Sequence, residues 1–236
     1  VARDAEETPR LIRALNLNIE NHQLINTPDD GVELEFRYGV PSRYAFAPRI
    51  AVVHYGVTDS LDALWRAQNY RKFFAHVSID GWSAHTESGP LRGVSKVIQQ
   101  LDFDQRGTHC GSSSYKGSPH CNAFAFGIEI ANPGPLKQQT NGSLRTVYEK
   151  PWPISDAIEA EHKSGSAPRD WSHWAQYSDE EIDLVIQLVG LWRMHYGITD
   201  VVGHDDISPG RKSDPGPAFP IEFVRKAVFG AMQSES

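Results

Sequence analysis

Hydrophobic and polar positions change period several times along the chain, and each change marks an element. The run RIAVVHYGV at 49–57 is apolar and rich in β-branched residues, which predicts a buried strand. Thr58, Asp59 and Ser60 then offer a cap for a helix over 61–70, with Leu61, Leu64 and Trp65 on one face. Stretches 75–79, 94–101 (VSKVIQQL) and 124–131 (FAFGIEIA) read as further strands. Ser178 and Glu181 form an S-x-x-E capping box that opens the clearest helix. Its apolar stripe is Ile182, Val185, Ile186, Val189 and Trp192, and Gly197 is placed to end it. A last helix is expected from about Pro220 to Gly230, with Phe223, Ala227 and Val228 inward.

The intervening stretches are less regular. Positions 16–25 alternate loosely, and Pro28-Asp29-Asp30-Gly31 is a turn signal before VELEFRYGV, which reads as an N-terminal hairpin or extended arm. Stretch 81–93 is polar and rich in turn formers, a surface excursion. Stretch 133–175 shows the weakest pattern, with a short helix expected near 154–162 and the rest a lid or surface insertion. No long linker or internal repeat interrupts the chain, so one domain is expected. Within it, 1–47 is the arm or hairpin, 48–220 the core, and 221–236 a C-terminal helix and tail. Strands interleaved with helices point to an α/β arrangement around one sheet.

Composition narrows the partners. The 236 residues, 39% hydrophobic and 22% charged, suit a globular domain with its own core. A net charge of −7 argues against nucleic acid or an anionic membrane as the main partner. No apolar run approaches the roughly 20 residues of a membrane span. The opening VARDAEETPRLIR has no apolar core, so no signal peptide is expected in this chain. The compartment stays open between cytoplasmic, phage-borne and otherwise exported use. The two cysteines, Cys110 and Cys121, each follow a histidine. A Cys/His metal site, a disulfide and two free buried thiols all remain open, with the thiols favoured.

Candidate chemistry concentrates in 201–220, VVGHDDISPGRKSDPGPAFP. Its prolines and glycines are expected to exclude a helix and most of a strand, leaving a rigid loop of the kind that carries reactive groups. His204 and Asp214 are residue types that bind zinc, and in an extended chain Lys212 would share a side with Asp214. An ordinary Lys–Asp surface loop is the alternative. His54, at the end of its apolar strand, is either a hydrogen-bonded core histidine or a third ligand. Glu129, within FAFGIEIAN, lies on an exposed strand face or is a general base near a metal-bound water, since burying a carboxylate there without a partner would cost several kcal/mol or raise its pKa. Arg211 is a candidate carboxylate clamp through its planar fork, or a surface arginine.

GHDDISPGRKSDPGPAFP resembles the C-terminal motif of the zinc-dependent N-acetylmuramoyl-L-alanine amidases (amidase type 2), the class that also contains the peptidoglycan recognition proteins. The resemblance covers roughly 48–220. It implies a mixed sheet flanked by helices and one zinc ion per chain, held by the residues matching His54, His204 and Asp214. It also implies a catalytic role for Glu129, in the matching GIE position, and for Lys212. His109, in THCGSSS, matches a histidine beside the substrate groove, although Thr108 stands where the family commonly has tryptophan. His120 falls where cytosolic relatives carry an arginine that meets the stem peptide. YKGSPHCNAFAFGIEI is similar to cytosolic members with a lone cysteine at the position of Cys121, which supports free thiols. The implied activity is hydrolysis of the bond between N-acetylmuramic acid and L-alanine, with peptidoglycan or muropeptide as the partner. A recognition module that binds without cutting, and a zinc peptidase acting within the stem, are the alternatives.

Overall fold

The computed structural model describes residues 16–26, 32–80, 85–86, 89–90, 95–163 and 171–230. In chain order it has β1 (Leu17–Glu20), β2 (Gln23–Asn26), β3 (Val32–Phe36), β4 (Ile50–Tyr55), α1 (Leu61–Arg71), β5 (Val77–Ile79), β6 (Ser95–Gln99) and β7 (Ala125–Ile130). Five short strands follow: β8 (Pro135–Gln138), β9 (Leu144–Arg145), β10 (Pro151–Trp152), β11 (Ala157–Glu159) and β12 (His173–Ala175). The chain then forms α2 (Asp179–Tyr196), β13 (Asp200–Gly203), the single turn α3 (His204–Ile207) and α4 (Ile221–Phe229).

Six of these strands form a mixed sheet in the order β13-β4-β7-β5-β6-β3. Neighbours run parallel except β5 and β6. Alternation along each strand divides the sheet's residues between two faces. Ala51, Val53, Val77, Ile79, Val97, Phe126, Ile128 and Ile130 join the apolar sides of α2 and α4 in the main core. On the opposite face Ile50, Val52 and Ala125 pack with Cys110, Cys121, Phe124, Val202 and Ile207. Leu61 and Leu64 of α1 cover Ile98 and Ala131 on that same face. Between the two smaller clusters lies a polar row, His54, Glu129 and Ser78, adjacent in register across three strands.

The helix signals act as their chemistry requires. The Ser60 side chain accepts from the N–H of Ala63 at 3.2 Å. At α2 the N–H of Ser178 donates to Glu181 at 2.6 Å and that of Glu181 to Ser178 Oγ at 3.1 Å, while Gly197 ends the helix at φ 67°.

Several expectations need correction. The buried face of α1 is Leu61, Leu64 and Gln68, with Trp65 only half-buried. In α4 the inward pair is Val224 and Val228, four apart, while Phe223 and Ala227 are exposed. The N-terminal hairpin turns at Asn21–His22 and is complete by Asn26. β3 instead pairs with β6 at the sheet edge, and the turn expected at 28–31 lies outside the described residues. Most of 81–93 does too.

The weakly patterned stretch 133–175 is a second sheet, antiparallel throughout, in the order β10-β9-β8-β12-β11. No α-helix forms near 154–162, where one 3₁₀ turn at Ile154–Asp156 leads into β11. Its strands are too short for side-chain alternation to show, and backbone pairing holds them around Leu136, Leu144, Trp152 and Ala175. Stretch 201–220 also begins more regularly than expected, with the end of β13 and the turn of α3 preceding the prolines.

A three-residue candidate metal centre and its surroundings

β4 and β7 run parallel and in register, so His54 and Glu129 stand side by side near the carboxyl ends of adjacent strands. That end of an open α/β sheet is where ligands are commonly received. β13 lies on the other side of β4 and delivers His204 directly after its last residue. The loop beyond turns back on itself. The N–H of Asp205 donates to the Asp214 carbonyl at 2.8 Å, and that of Lys212 to the Ser208 carbonyl at 3.1 Å. Asp214 is thereby returned to His204 across nine intervening residues.

The result is a tight triangle. Nδ1 of His54 lies 2.9 Å from Nδ1 of His204, and each nitrogen lies 2.8 Å from Oδ2 of Asp214. All three residues are buried, with 2%, 2% and 6% exposure for His54, His204 and Asp214. Their outer hydrogen bonds settle what the triangle can accept. Nε2 of His204 donates to the Cys110 carbonyl at 2.9 Å, and Nε2 of His109 to the Ala125 carbonyl at 3.1 Å. Neutral His109 therefore presents Nδ1 as an acceptor, and His54 donates to it from Nε2 at 2.9 Å. In their neutral forms both inner Nδ1 atoms then present lone pairs, facing a carboxylate oxygen.

Three acceptors converging in a buried space call for a cation. Two imidazole nitrogens and one carboxylate oxygen match the three-ligand set of a catalytic zinc site. The protonation tendencies agree. Burial and the neighbouring His204 lower His54 to about 4. Burial, with His54 and His76 nearby, holds His109 well below its ordinary value. Burial alone would raise Asp214, but the adjacent His204 and His54 outweigh it and keep the carboxyl well below the usual range.

A cleft of about 470 Å³ opens beside the triangle, lined by His54, Glu129, His204, Lys212 and Asp214 among others. Glu129 is 6% exposed, and burial followed by Asp214 pushes its carboxyl well above the ordinary value, while Lys212 and Gln68 pull it back. A carboxyl so placed is a better proton acceptor than a solvated glutamate. Lys212 is close enough to act electrostatically on both His54 and Glu129.

The other candidates separate. His109 borders the cleft, but both its ring nitrogens are engaged, so it supports His54 from behind. Gly127 makes room for it, since a Cβ there would lie 2.7 Å from the His109 ring. Nη2 of Arg211 donates to the Cys110 and Ser112 carbonyls at 2.8 and 2.7 Å and to Ser208 Oγ at 2.6 Å. Arg211 thus ties the His204 loop to 110–112, while still bordering the cleft. His120 is exposed, in left-handed backbone at φ 62°, and does not line the cleft. Cys110 and Cys121 are buried, unbridged thiols, and burial raises both.

Sequence reading passed over several neighbours. Tyr55 hydrogen-bonds Ser213 at 2.6 Å, and Val57 sits at φ 55°, an unusual conformation for a β-branched residue. Both line the cleft, as does Phe73. His76 is fully buried, with its Nδ1 accepting from the Gly127 N–H at 3.1 Å, and its place in the apolar run 73–79 was the available signal. The second sheet is fastened to the same region. His162 meets Asp205 at 3.0 Å, and Lys163 meets Asp205 and Asp206 at 3.0 and 2.6 Å, directly after His204.

Residues 44–217 match the family model described as N-acetylmuramoyl-L-alanine amidase. The chain is 33% identical over 131 residues to the 1,6-anhydro-N-acetylmuramyl-L-alanine amidase AmpD of Enterobacter cloacae, which is 55% of this chain and 49% of that protein. The chain thus spans about half the length of that relative. AmpDh3 from Pseudomonas aeruginosa, solved in complex with anhydromuramic pentapeptide, superposes with a TM-score of 0.54 at 24% identity, covering 81% of this chain and 64% of that one. The amidase AmiD from E. coli, solved with anhydro-N-acetylmuramic acid-L-Ala-D-gamma-Glu-L-Lys, also gives 0.54, at 18% identity, covering 91% and 66%. At these identities the two structural likenesses speak to the fold.

Proposed function

The chain belongs to the N-acetylmuramoyl-L-alanine amidase family, and from that premise we propose that it hydrolyses the amide bond between N-acetylmuramic acid and L-alanine in peptidoglycan or muropeptides. The observation that carries this reading is the convergence of three ligand atoms on His54, His204 and Asp214, with Glu129 beside them in register. These three residues would hold one zinc ion. Zinc, when bound, supplies a Lewis acid that polarises the scissile carbonyl and lowers the pKa of water to about 7.

The chain's own groups account for the proton and the charge. Glu129 takes a proton from the attacking water as the new C–O bond forms. It returns that proton to the alanine nitrogen as the C–N bond breaks. Lys212 places an ammonium beside the tetrahedral oxyanion, a charge that exists only near the transition state. His109 and the Cys110 carbonyl hold the two histidines in the tautomer that binds metal. The sides of the cleft at Tyr55, Val57 and Phe73 give the substrate an apolar wall.

The relatives named for 1,6-anhydro-N-acetylmuramyl-L-alanine support a muropeptide with an anhydro sugar as one substrate form. A module that only recognises peptidoglycan would need no complete ligand set, and this one is filled. The test is to digest purified sacculi and soluble anhydro-muropeptides side by side with zinc-loaded protein, identifying the released ends by mass spectrometry. New L-alanine amino termini with intact stem peptides are expected. Binding without release would replace the reading with a recognition module, and cuts inside the stem with a peptidase.

A further inference from the structure

Beside Glu129, on the side away from His54, the sheet face holds a buried polar cluster outside the reaction as described. Gln68 of α1, Ser78 of β5 and Gln100 just after β6 are each 0% exposed. Ser78 is the register partner of Glu129, so the two side chains share a face of the sheet. Nε2 of Gln100 donates to Oε1 of Gln68 at 2.5 Å and to Oγ of Ser78 at 2.5 Å. The Ser78 hydroxyl is directed at the same Gln68 oxygen at 3.4 Å.

With Gln100 Nε2 as the donor, the atom that accepts from it is the oxygen of the Gln68 amide. Its Nε2 is turned the other way and has no aligned acceptor. A buried donor left in that state is uncommon and asks for an explanation. Glu129 is the carboxyl beside it: the hydroxyl of Ser78, the register partner of Glu129, lies 3.4 Å from the Gln68 oxygen, and the Gln68 amide acts on the Glu129 carboxyl as a hydrogen-bonding group.

We propose that Gln68 is a positioning residue for the general base: its Nε2, oriented by Gln100 and Ser78, donates to the ionised Glu129 carboxylate and holds it in the proton-accepting conformation. The inference rests on the amidase reading and on Glu129 as base. It assigns the buried cluster of Gln68, Ser78 and Gln100 to the reaction and gives the unpartnered amide its acceptor. Glu129 then has a donor on the Ser78 side and Lys212 acting on it from the loop, which leaves its lone pairs toward the cleft for water.

The experiment uses the zinc-loaded full chain on a soluble anhydro-muropeptide. Gln68→Met keeps the volume and removes the donor. Its kcat should fall by about tenfold, the effect of losing one hydrogen bond to a charged group, with KM and zinc content unchanged. Made in the Glu129→Gln background, the same change should add no further loss, because its acceptor is no longer charged. Gln100→Met leaves the Gln68 donor in place but frees the amide to turn, and should lower kcat by a smaller factor. Wild-type turnover by Gln68→Met would overturn the inference, as would an equal loss in both backgrounds. Should Gln68→Met fail to fold, Gln100→Met decides, and an unchanged kcat there overturns it. A wild-type chain that cuts nothing would instead sink the amidase reading itself.

Discussion

Replacing His109 with leucine separates two roles that the sequence could not. His109 is expected at the substrate groove by resemblance, yet its Nδ1 accepts from His54 at 2.9 Å and its Nε2 donates to the Ala125 carbonyl at 3.1 Å. His109→Leu keeps an apolar group of similar reach and removes the acceptor. The buried Nε2–H of His54, a residue 2% exposed, is then left without a partner. Such an orphaned donor costs about 1–3 kcal/mol. Loss of the group behind a ligating histidine typically weakens metal binding by about 10–100-fold, equivalent to about 1.4–2.8 kcal/mol. The measurement is zinc affinity by competition with a chromophoric chelator, beside KM for a muropeptide at saturating zinc. Weaker zinc binding with little change in KM is expected. A raised KM with undiminished zinc affinity would refute the reasoning and make His109 a substrate contact.

Three further outcomes follow from other parts of the structure. Glu129→Ala and Lys212→Ala should retain zinc while kcat falls by about 10²–10⁴-fold and 10²–10³-fold respectively. Asp214→Ala should lose zinc and activity together, so metal content read beside kcat checks the division of roles. Burial pushes Glu181 from 4.5 up to about 8, so between those values the unfolded chain ionises first and folding stability falls as pH rises, with no further loss above. Glu181→Gln keeps an acceptor for the Ser178 N–H and should flatten that slope in urea midpoints measured at several pH values across the window. Gly127→Ala would press a methyl against the His109 ring, 2.7 Å away at its closest, and should lower the melting temperature through overpacking worth about 1–3 kcal/mol.

Legibility followed the reach of each signal. The long apolar runs at 49–57 and 124–131 and the capping box at 178–181 become β4, β7 and α2, because burial on both sides of the sheet and a local hydrogen-bond exchange are written in adjacent residues. Glu129 could be singled out by its cost, a carboxylate among apolar neighbours. Its partners could not. Gln68 looks like an ordinary helix residue, and only the packing of α1 over Ser78 and Gln100 shows that it is buried. His120 was read from a matching position in the family and Arg211 from its planar fork, but the chain turns His120 outward and occupies one Arg211 nitrogen with backbone carbonyls. The second sheet escaped detection for a related reason. Strands of two to four residues are specified by which backbones meet, and that depends on turns too local and too varied to leave a period.

The meeting of His54 with His204 spans 150 residues of chain, and that with Asp214 spans 160. Contacts this distant close late, because the entropy of bringing the ends together must be met before any contact compensates it. β13 pairs with one edge of β4 and β7, which lies between them in sequence, pairs with the other. The chemistry therefore acts as a certificate of completion: a chain folded everywhere except its last strand would hold Glu129 and the cleft's far wall, yet have one ligand where three are needed. Zinc bound at the proposed centre would in turn favour the finished state, since whatever free energy it released would be released only to a chain whose β4 and β13 have already met.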